Sequence, residues 1–467
     1  MTQTLSNEFD ELRSGMSGAV ITPADPDYDR ARTVWNADVD RRPSAIAQCA
    51  SAADVAEALR WAGRRSMPVS VRGGAHHAAG PVVADDALMI DLSPMRQVVV
   101  DPESRRARVG GGALLADLDG AAQAHGLATP TGVVGHTGVG GITLGGGMGW
   151  LTRKYGLTSD NLTGAEVVLA DGRIVRASAD EHQDLFWALR GGGGNFGVVT
   201  EFEFALHPLH PTVEFALLFW PEDQGAAMLR LAREVLADLP DDINIIFGAI
   251  TAPPEPFVPE EHRFRPGYAM LVTGFGPDVA EEHGRVVSRI RNGLPPLFEM
   301  TTPMPYVALQ QMLDEANAWG SHCYDKHCYV SELSDPVIEA VTEQVPAKTS
   351  PLSVVLFYPL DGAYCAVDEN ETAFGGGRSP RLTLFVVGLS PTADGLPAER
   401  AWVRAFQAAM APLAIGRESY VNAYLEDGGD RELRDVYGSA KYERLGRIKS
   451  EYDPGNVFRS HANIKPG

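Results

Sequence analysis

The sequence predicts an α+β protein of two or three domains: a glycine-rich ligand domain, then a domain built on an antiparallel sheet with helices packed on it. Three observations carry this expectation. The chain has 467 residues, more than one simple core accommodates. Glycine concentrates before about residue 200, in RGGAHHAAG (72–80), VGGGA (109–113), GVGGITLGGGMGW (138–150) and GGGGNFG (191–197). From about residue 212, apolar runs alternate with helical segments, the pattern of a sheet covered on one face.

In chain order, MTQTLSNEFDELRSGM is polar and mildly acidic. Without a basic stretch followed by an apolar one, it does not read as a secretory signal. Strand-like pieces follow at Pro68–Arg72, Ala87–Leu92 and Ala165–Ala170, with helix-like stretches around Ala53–Arg64 and Asp184–Leu189. Asp171-Gly172, between AEVVLA and RIVRAS, predicts a type I′ hairpin. Beyond residue 212, strands are expected at Ile243–Ile250, Met270–Thr273, Val354–Tyr358 and Leu382–Leu389, and helices at Gln224–Leu239 and Val279–Arg291. After about residue 417 comes a helix-rich tail, stopped by Pro454 and Gly455. The expected divisions are 1–211, 212–416 and 417–467.

Composition excludes some functions. Hydrophobic residues make up 44% and charged residues 22%, ordinary for a soluble globular protein. The formal charge of −21 argues against a nucleic-acid partner, which needs a basic face. No apolar run reaches the roughly 18 residues needed to cross a bilayer. Four scattered cysteines (Cys49, Cys323, Cys328, Cys365) form no disulfide framework, so the expected location is cytoplasmic.

Glycine lets the backbone approach a ligand closely and turn successive N–H groups toward a pyrophosphate. Four clusters in one half of the chain therefore suggest a dinucleotide. Gly192-x-Gly194-x-x-Gly197 matches the Rossmann fingerprint literally, but a helix precedes it and a strand follows, the reverse of the required order. His76 stands beside His77 in a glycine-rich turn between two strands. It fits a surface-loop histidine, a base, a metal ligand or a covalent tether, and spacing alone does not choose among them.

The ordered set VSVRGGAHHAAG (69–80), TPTGVVGHTGVGGITLGGGMGWLTRKYGLTSDNL (129–162), DLFWALRGGGGNFGVV (184–199), YVN (420–422) and YDPGNVFRSHANI (452–464) resembles the berberine bridge enzyme-like FAD-linked oxidases. These belong to the vanillyl-alcohol oxidase superfamily, and the flavour is that of bacterial 6-hydroxy-D-nicotine oxidase-type members. The resemblance runs from about residue 40 onward. It implies a PCMH-type FAD domain of two α/β subdomains, completed by the tail, beside a substrate domain. It implies a flavin joined by its 8α-carbon to His76. The family pattern V-R-S-G-G-H reads here Val71-Arg72-Gly73-Gly74-Ala75-His76, with His77 one place late.

The same resemblance makes cofactor-binding candidates of Arg72, Gly73, Gly74, Ala75, His77, Gly80, Thr137, Gly138, Gly140, Gly141, Thr143, Gly146 and Gly147. Gly197, Val198 and Val199 would meet the adenine half, while Tyr420, Asn422 and Asn463 would come from the tail toward the ring. Some members add a cysteinyl link at the place held here by Val134, so a single tether is implied. The glutamate base of berberine bridge enzyme falls at Ala366, and the second tyrosine of Y-x-N-Y at Ala423. Tyr420 is then the leading candidate base and Tyr155 a secondary one.

SHCYDKHCYVSEL (321–333) lacks zinc-site spacing and reads as a strand. Tyr324, Lys326 and Cys328 share one face; Cys323, Asp325, His327 and Tyr329 share the other. The resemblance sets this strand at the substrate cavity, and Tyr324 and Lys326 are taken as catalytic candidates. The leading function is oxidation of a C–OH or C–N centre of a small molecule, with hydride passing to flavin N5 and molecular oxygen as acceptor. The alternatives are an oxidative tailoring step in natural-product biosynthesis and an inactive flavin-fold binding protein.

Overall fold

The computed structural model describes residues 8–416, 420–423, 429–459 and 461–467, and its strands form four sheets. β1 (Val20–Ile21), β2 (Ala45–Gln48), β3 (Val69–Arg72) and β4 (Leu88–Asp91) run in the order β1-β2-β4-β3, with β2 and β3 parallel to β4. Helix Ala52–Arg64 connects β2 to β3. It begins at Ser51, whose hydroxyl accepts the Asp54 N–H at 3.3 Å, and it buries Val55, Leu59 and Trp61 in the core shared with this sheet.

The next sheet is antiparallel: β5 (Val98–Asp101), β6 (Arg106–Gly110), β8 (Leu162–Val168), β9 (Ile174–Ser178) and β10 (Val198–Ala205), ordered β5-β6-β10-β8-β9. The strand β7 (Leu127–Ala128) pairs instead with β11 (His207–Pro208). Asp171-Gly172 does join β8 to β9, but only Gly172 has positive φ, at +82°. The Gly172 N–H reaches Leu169 O and the Leu169 N–H reaches Arg173 O, both at 2.9 Å. A longer loop closed by one left-handed glycine replaces the expected type I′ turn.

The large sheet has seven strands: β12 (Thr212–Pro221), β13 (Ile243–Thr251), β14 (Pro266–Gly274), β15 (Phe298–Pro305), β16 (His322–Val330), β17 (Val354–Leu360) and β18 (Arg381–Ser390). Their order is β15-β12-β14-β13-β17-β18-β16, and every recorded pairing is antiparallel. Alternation divides its residues. Leu218 and Trp220 join Leu229, Val287, Ile338 and Trp402 of the covering helices, while Phe215, Leu217 and Phe219 enter a core with Trp150 and Leu309 on the other face. The protein is thus α+β.

The tail returns to the first half. Leu445, Ile448 and Tyr452 of helix Ser439–Tyr452 share a core with Leu185, Leu189 and Phe202. Lys449 is buried, and its ammonium donates to Asp453 Oδ2 (2.6 Å) and to the Asn195 and Phe458 carbonyls (each 2.7 Å). Asn195 Oδ1 accepts the Ile464 N–H at 3.0 Å, so the tail is tied to the 191–197 glycine loop. The expected boundary at 417 falls outside the described residues. Among the described residues no helix is long and apolar enough to cross a membrane.

Candidate functional site

A cavity of about 430 Å³ lies where the three larger sheets meet. β3 contributes Val69 and Val71, β10 contributes Val198, Val199 and Phe202, and the large sheet contributes Val354, Leu356, Tyr358, Phe385 and Val387. Between them run two glycine loops that touch backbone to backbone. A Cβ on Gly74 would stand 2.3 Å from the Gly138 backbone, so neither position has room for a side chain. Ala75 stands where the family pattern has glycine, yet keeps a left-handed φ of +52°, a strained conformation costing about 1 kcal/mol. Its carbonyl accepts the Trp35 N–H at 3.0 Å.

That loop presents His76. Its imidazole stacks on Trp35 (centroids 4.5 Å apart, 15° between planes) and faces His136 at 4.9 Å. Burial, with a smaller contribution from His136, holds its pKa down at about 3. The ring is therefore neutral, and its Nε2 is buried without a hydrogen-bond partner. His77 is also held well below the usual histidine range by burial. Its Nδ1 accepts the Ala79 N–H at 3.1 Å, which assigns the ring proton to Nε2. His461 packs edge-on against it at 4.3 Å.

Tyr420 reaches the cavity from the tail. Its phenolic oxygen accepts the Gly147 N–H at 3.2 Å and the Asn422 Nδ2–H at 3.1 Å. Asn422 also donates to Ile142 O at 3.1 Å. Burial outweighs those two hydrogen bonds and pushes the phenol up to about 12. Tyr420 is thus a neutral phenol whose oxygen is already twice an acceptor, leaving its own proton to give.

The cavity gathers His76, His77, Gly73, Gly74, Ala75, Thr137, Gly138, Gly140, Gly141, Gly197, Val198, Val199, Tyr420 and Asn422. It does not gather the rest of the predicted set. Arg72 spends its guanidinium on the Ala31 and Thr33 carbonyls, at 2.7 and 2.8 Å. Gly80 turns the chain against Val39, and Thr143 donates back to Val139 O within its own helix at 2.7 Å. Gly146 and Gly147 lie behind the wall; a Cβ on Gly146 would meet the Phe374 ring at 2.8 Å. Asn463 is not at the wall, where its neighbours His461 and Ala462 stand instead.

The catalytic candidates need more correction. Tyr155 stacks on His207 at 4.0 Å and donates to Pro208 O, away from the cavity. On β16 the strand was placed correctly and the face was not. Tyr324 is in the core beneath the covering helices, its hydroxyl accepting Arg404 Nε–H at 3.2 Å, and Lys326 shares that parity. The opposite face, with His327, approaches the cavity: its ring lies 5.6 Å from that of Tyr420 and bonds Thr383.

Sequence reasoning missed several lining residues. His461 and Phe458 lay unremarked inside the YDPGNVFRSHANI motif, and Gly111 inside VGGGA. Leu313 and Asn317, from the loop after helix Tyr306–Gln311, carry no sequence signal at all. Among the described residues, no three His, Cys, Asp or Glu side chains gather to hold a metal ion.

Residues 43–178 match the FAD binding domain family, and residues 419–465 match the berberine and berberine-like family. The chain is 31% identical over 465 residues to (R)-6-hydroxynicotine oxidase of Paenarthrobacter nicotinovorans, covering 97% of both chains. An FAD-linked oxidoreductase of Dictyostelium discoideum is 29% identical, over 98% of this chain and 96% of that one. The crystal structure of 6-hydroxy-D-nicotine oxidase from Arthrobacter nicotinovorans superposes with a TM-score of 0.84 at 28% identity, covering 97% of this chain and 98% of that one. Glucooligosaccharide oxidase from Acremonium strictum, which carries a 6-S-cysteinyl, 8α-N1-histidyl FAD, gives 0.85 at 24% identity over 99% and 100% of the two chains, a likeness of fold. The fold and cavity define an FAD-linked oxidoreductase. The chain belongs to the berberine bridge enzyme-like family of PCMH-type FAD-linked oxidases.

Proposed function

We propose that this protein holds its FAD through one covalent bond, from the 8α-carbon to His76, and oxidises a C–OH or C–N centre of a small organic molecule with molecular oxygen as acceptor. The observation that carries the reading is the His76 ring: it lines a glycine-walled cavity, is neutral and buried, and its Nε2 has no hydrogen-bond partner. A nucleophilic imidazole needs a free lone pair, and depression of its pKa keeps that lone pair available near neutral pH. The cavity also leaves main chain bare for a cofactor to lie against. A Cβ built on Gly141 or Gly194 would meet nothing within 4 Å, so both backbones face open space at the wall. Val134 stands at the cavity where a second, cysteinyl link would need sulfur, which supports a single tether.

FAD, when bound, would supply a two-electron acceptor for the hydride at its N5. The chain's own residues bind, orient and exclude water. Tyr420 keeps its proton near neutral pH and offers it as a hydrogen bond to the heteroatom beside the reacting carbon, fixing which C–H bond faces the acceptor, while the heteroatom's own proton leaves to water. Asn422 and the Gly147 N–H hold the phenol in place.

Acid precipitation tests the tether. The wild-type pellet is expected to be yellow, and the His76→Ala pellet colourless with its flavin in the supernatant. A mutant pellet that stayed yellow would refute attachment at His76. Anaerobic mixing with substrate then bleaches the flavin band, and hydrogen peroxide appears on re-aeration. A holoenzyme that no small alcohol or amine bleaches would return the chain to the inactive binding reading.

A further inference from the structure

The cavity wall contributed by the large sheet is apolar for a reason internal to two strands. Val354 and Leu356 of β17 lie directly opposite Val387 and Phe385 of β18, and all four line the cavity. Tyr358 extends the row, its ring edge-on to Phe385 at 5.4 Å. Val355 and Phe357, of the other parity, are buried under the covering helices. The alternation of β17 therefore delivers one uninterrupted apolar strip to the ligand side.

No Asp, Glu, Lys or Arg is among the described residues that line the cavity. On this face β16 carries a carboxyl, Asp325, directly across from Val387 and one strand behind the lining. Burial pushes it up to about 7, toward the neutral form. A charged substrate group seated on this strip would lose its hydration and, unlike a pyrophosphate lying against the glycine N–H groups of the opposite wall, find no counter-charge. A sugar would strip water from several hydroxyls at once, each needing a replacement partner. The large-sheet side offers the Tyr358 hydroxyl and, from the adjoining loop, the Asn317 carboxamide.

We propose that the substrate is a neutral, largely apolar ring molecule with its oxidisable carbon beside a single hydroxyl or uncharged amine, seated on the Val354–Val387 and Leu356–Phe385 pairs, and that the site excludes oligosaccharides and ligands ionised at pH 7. The inference rests on reading the chain as a flavin oxidase.

The test uses purified holoenzyme without oxygen and four probes: benzyl alcohol, benzylammonium, benzoate and cellobiose. Binding is read from perturbation of the flavin absorption band or, where a probe is itself oxidised, from the concentration dependence of the bleaching rate. Benzyl alcohol is expected to bind at least about tenfold more tightly than either charged analogue, because they share its ring and differ in the cost of burying a charge. Cellobiose is expected to leave the band unchanged. Leu356→Glu should reverse the order, benzylammonium gaining at least about tenfold over benzyl alcohol through a new counter-charge. Cellobiose or a charged analogue binding as tightly as the alcohol would overturn the proposal, as would Leu356→Glu without effect on the order. A chain purified without flavin would overturn the underlying reading as well, and that outcome is visible before any probe is added.

Discussion

On the His76 side of the cavity the lining is largely backbone; on the large-sheet side it is largely side chain. Gly73, Gly74, Gly138, Gly140 and Gly141 leave main chain exposed at the wall, and two of them meet with no space for a methyl group. Val354, Leu356, Phe385 and Val387 project from a regular ladder whose hydrogen bonds do not depend on them. The first wall suits a partner of one fixed shape. The second can change what it recognises by exchanging side chains while the sheet stays as it is. A constant cofactor and a variable substrate would ask for that division.

The sharpest way to break the comparison is Gly74→Val. Its Cβ would stand 2.3 Å from main-chain atoms of Gly138, which have no flexible end to give way. A loss of about 3 kcal/mol or more is expected, with little flavin retained, measured by thermal unfolding and flavin content. A stable yellow variant would show that the glycine wall is as permissive as the other. Tyr420→Phe ranks next. It should preserve the fold and lower turnover about tenfold, the scale of one positioning hydrogen bond. A pH profile separates the roles: with the phenol held at about 12, the wild type should show no tyrosine ionisation between pH 6 and 9.

A pH-dependent effect concerns the seam between the two sides. Asp119 is buried on helix Leu115–Gln123, where Gln310 Nε2 from helix Tyr306–Gln311 donates to it at 2.9 Å. Burial pushes this carboxyl up to about 7. The folded state then binds the proton more tightly than the unfolded state. Its contribution is full below the ordinary carboxylate value and is lost as pH rises toward 7, by up to about 1.4 kcal/mol per pH unit. Asp119→Asn should therefore stabilise the protein at pH 8 relative to wild type, and the gain should shrink or vanish at pH 4. Denaturant midpoints at the two pH values check this. A gain independent of pH would mean that Asp119 is not the titrating group.

Legibility in the sequence follows the same division. The glycine loops could be read because a missing Cβ is visible as a letter, and the ordered motifs fixed His76 within them. Parity on β16 could not be read. Both faces of HCYDKHCYV carry polar and aromatic residues, so alternation gave two candidate faces and no preference. Only helix Leu396–Met410, packed against Tyr324 by tertiary contact, decides which face turns away from the cavity. β12 and β15 were missed for other reasons: VEFALLFW is apolar on both faces, and FEMTTPMP contains two prolines that an edge strand tolerates. Arg72 and Gly80 were assigned by motif membership, whereas their bonds and turns serve the loop that carries His76.

The buried Lys449 knot bears on the order in which the protein can be assembled. His76 leaves the ribosome early, but Tyr420, Asn422 and His461, which close its cavity, are translated more than three hundred residues later. Gly147 and Ile142 hold Tyr420 and Asn422, while the segment that carries His461 follows the 439–452 helix, where Lys449 gathers the Asn195 and Phe458 carbonyls. A nascent chain still lacking that segment has the histidine and no closed chamber around it. Completion of the cavity is therefore a late event, one that waits until the segment carrying Tyr420, Asn422 and His461 has been made.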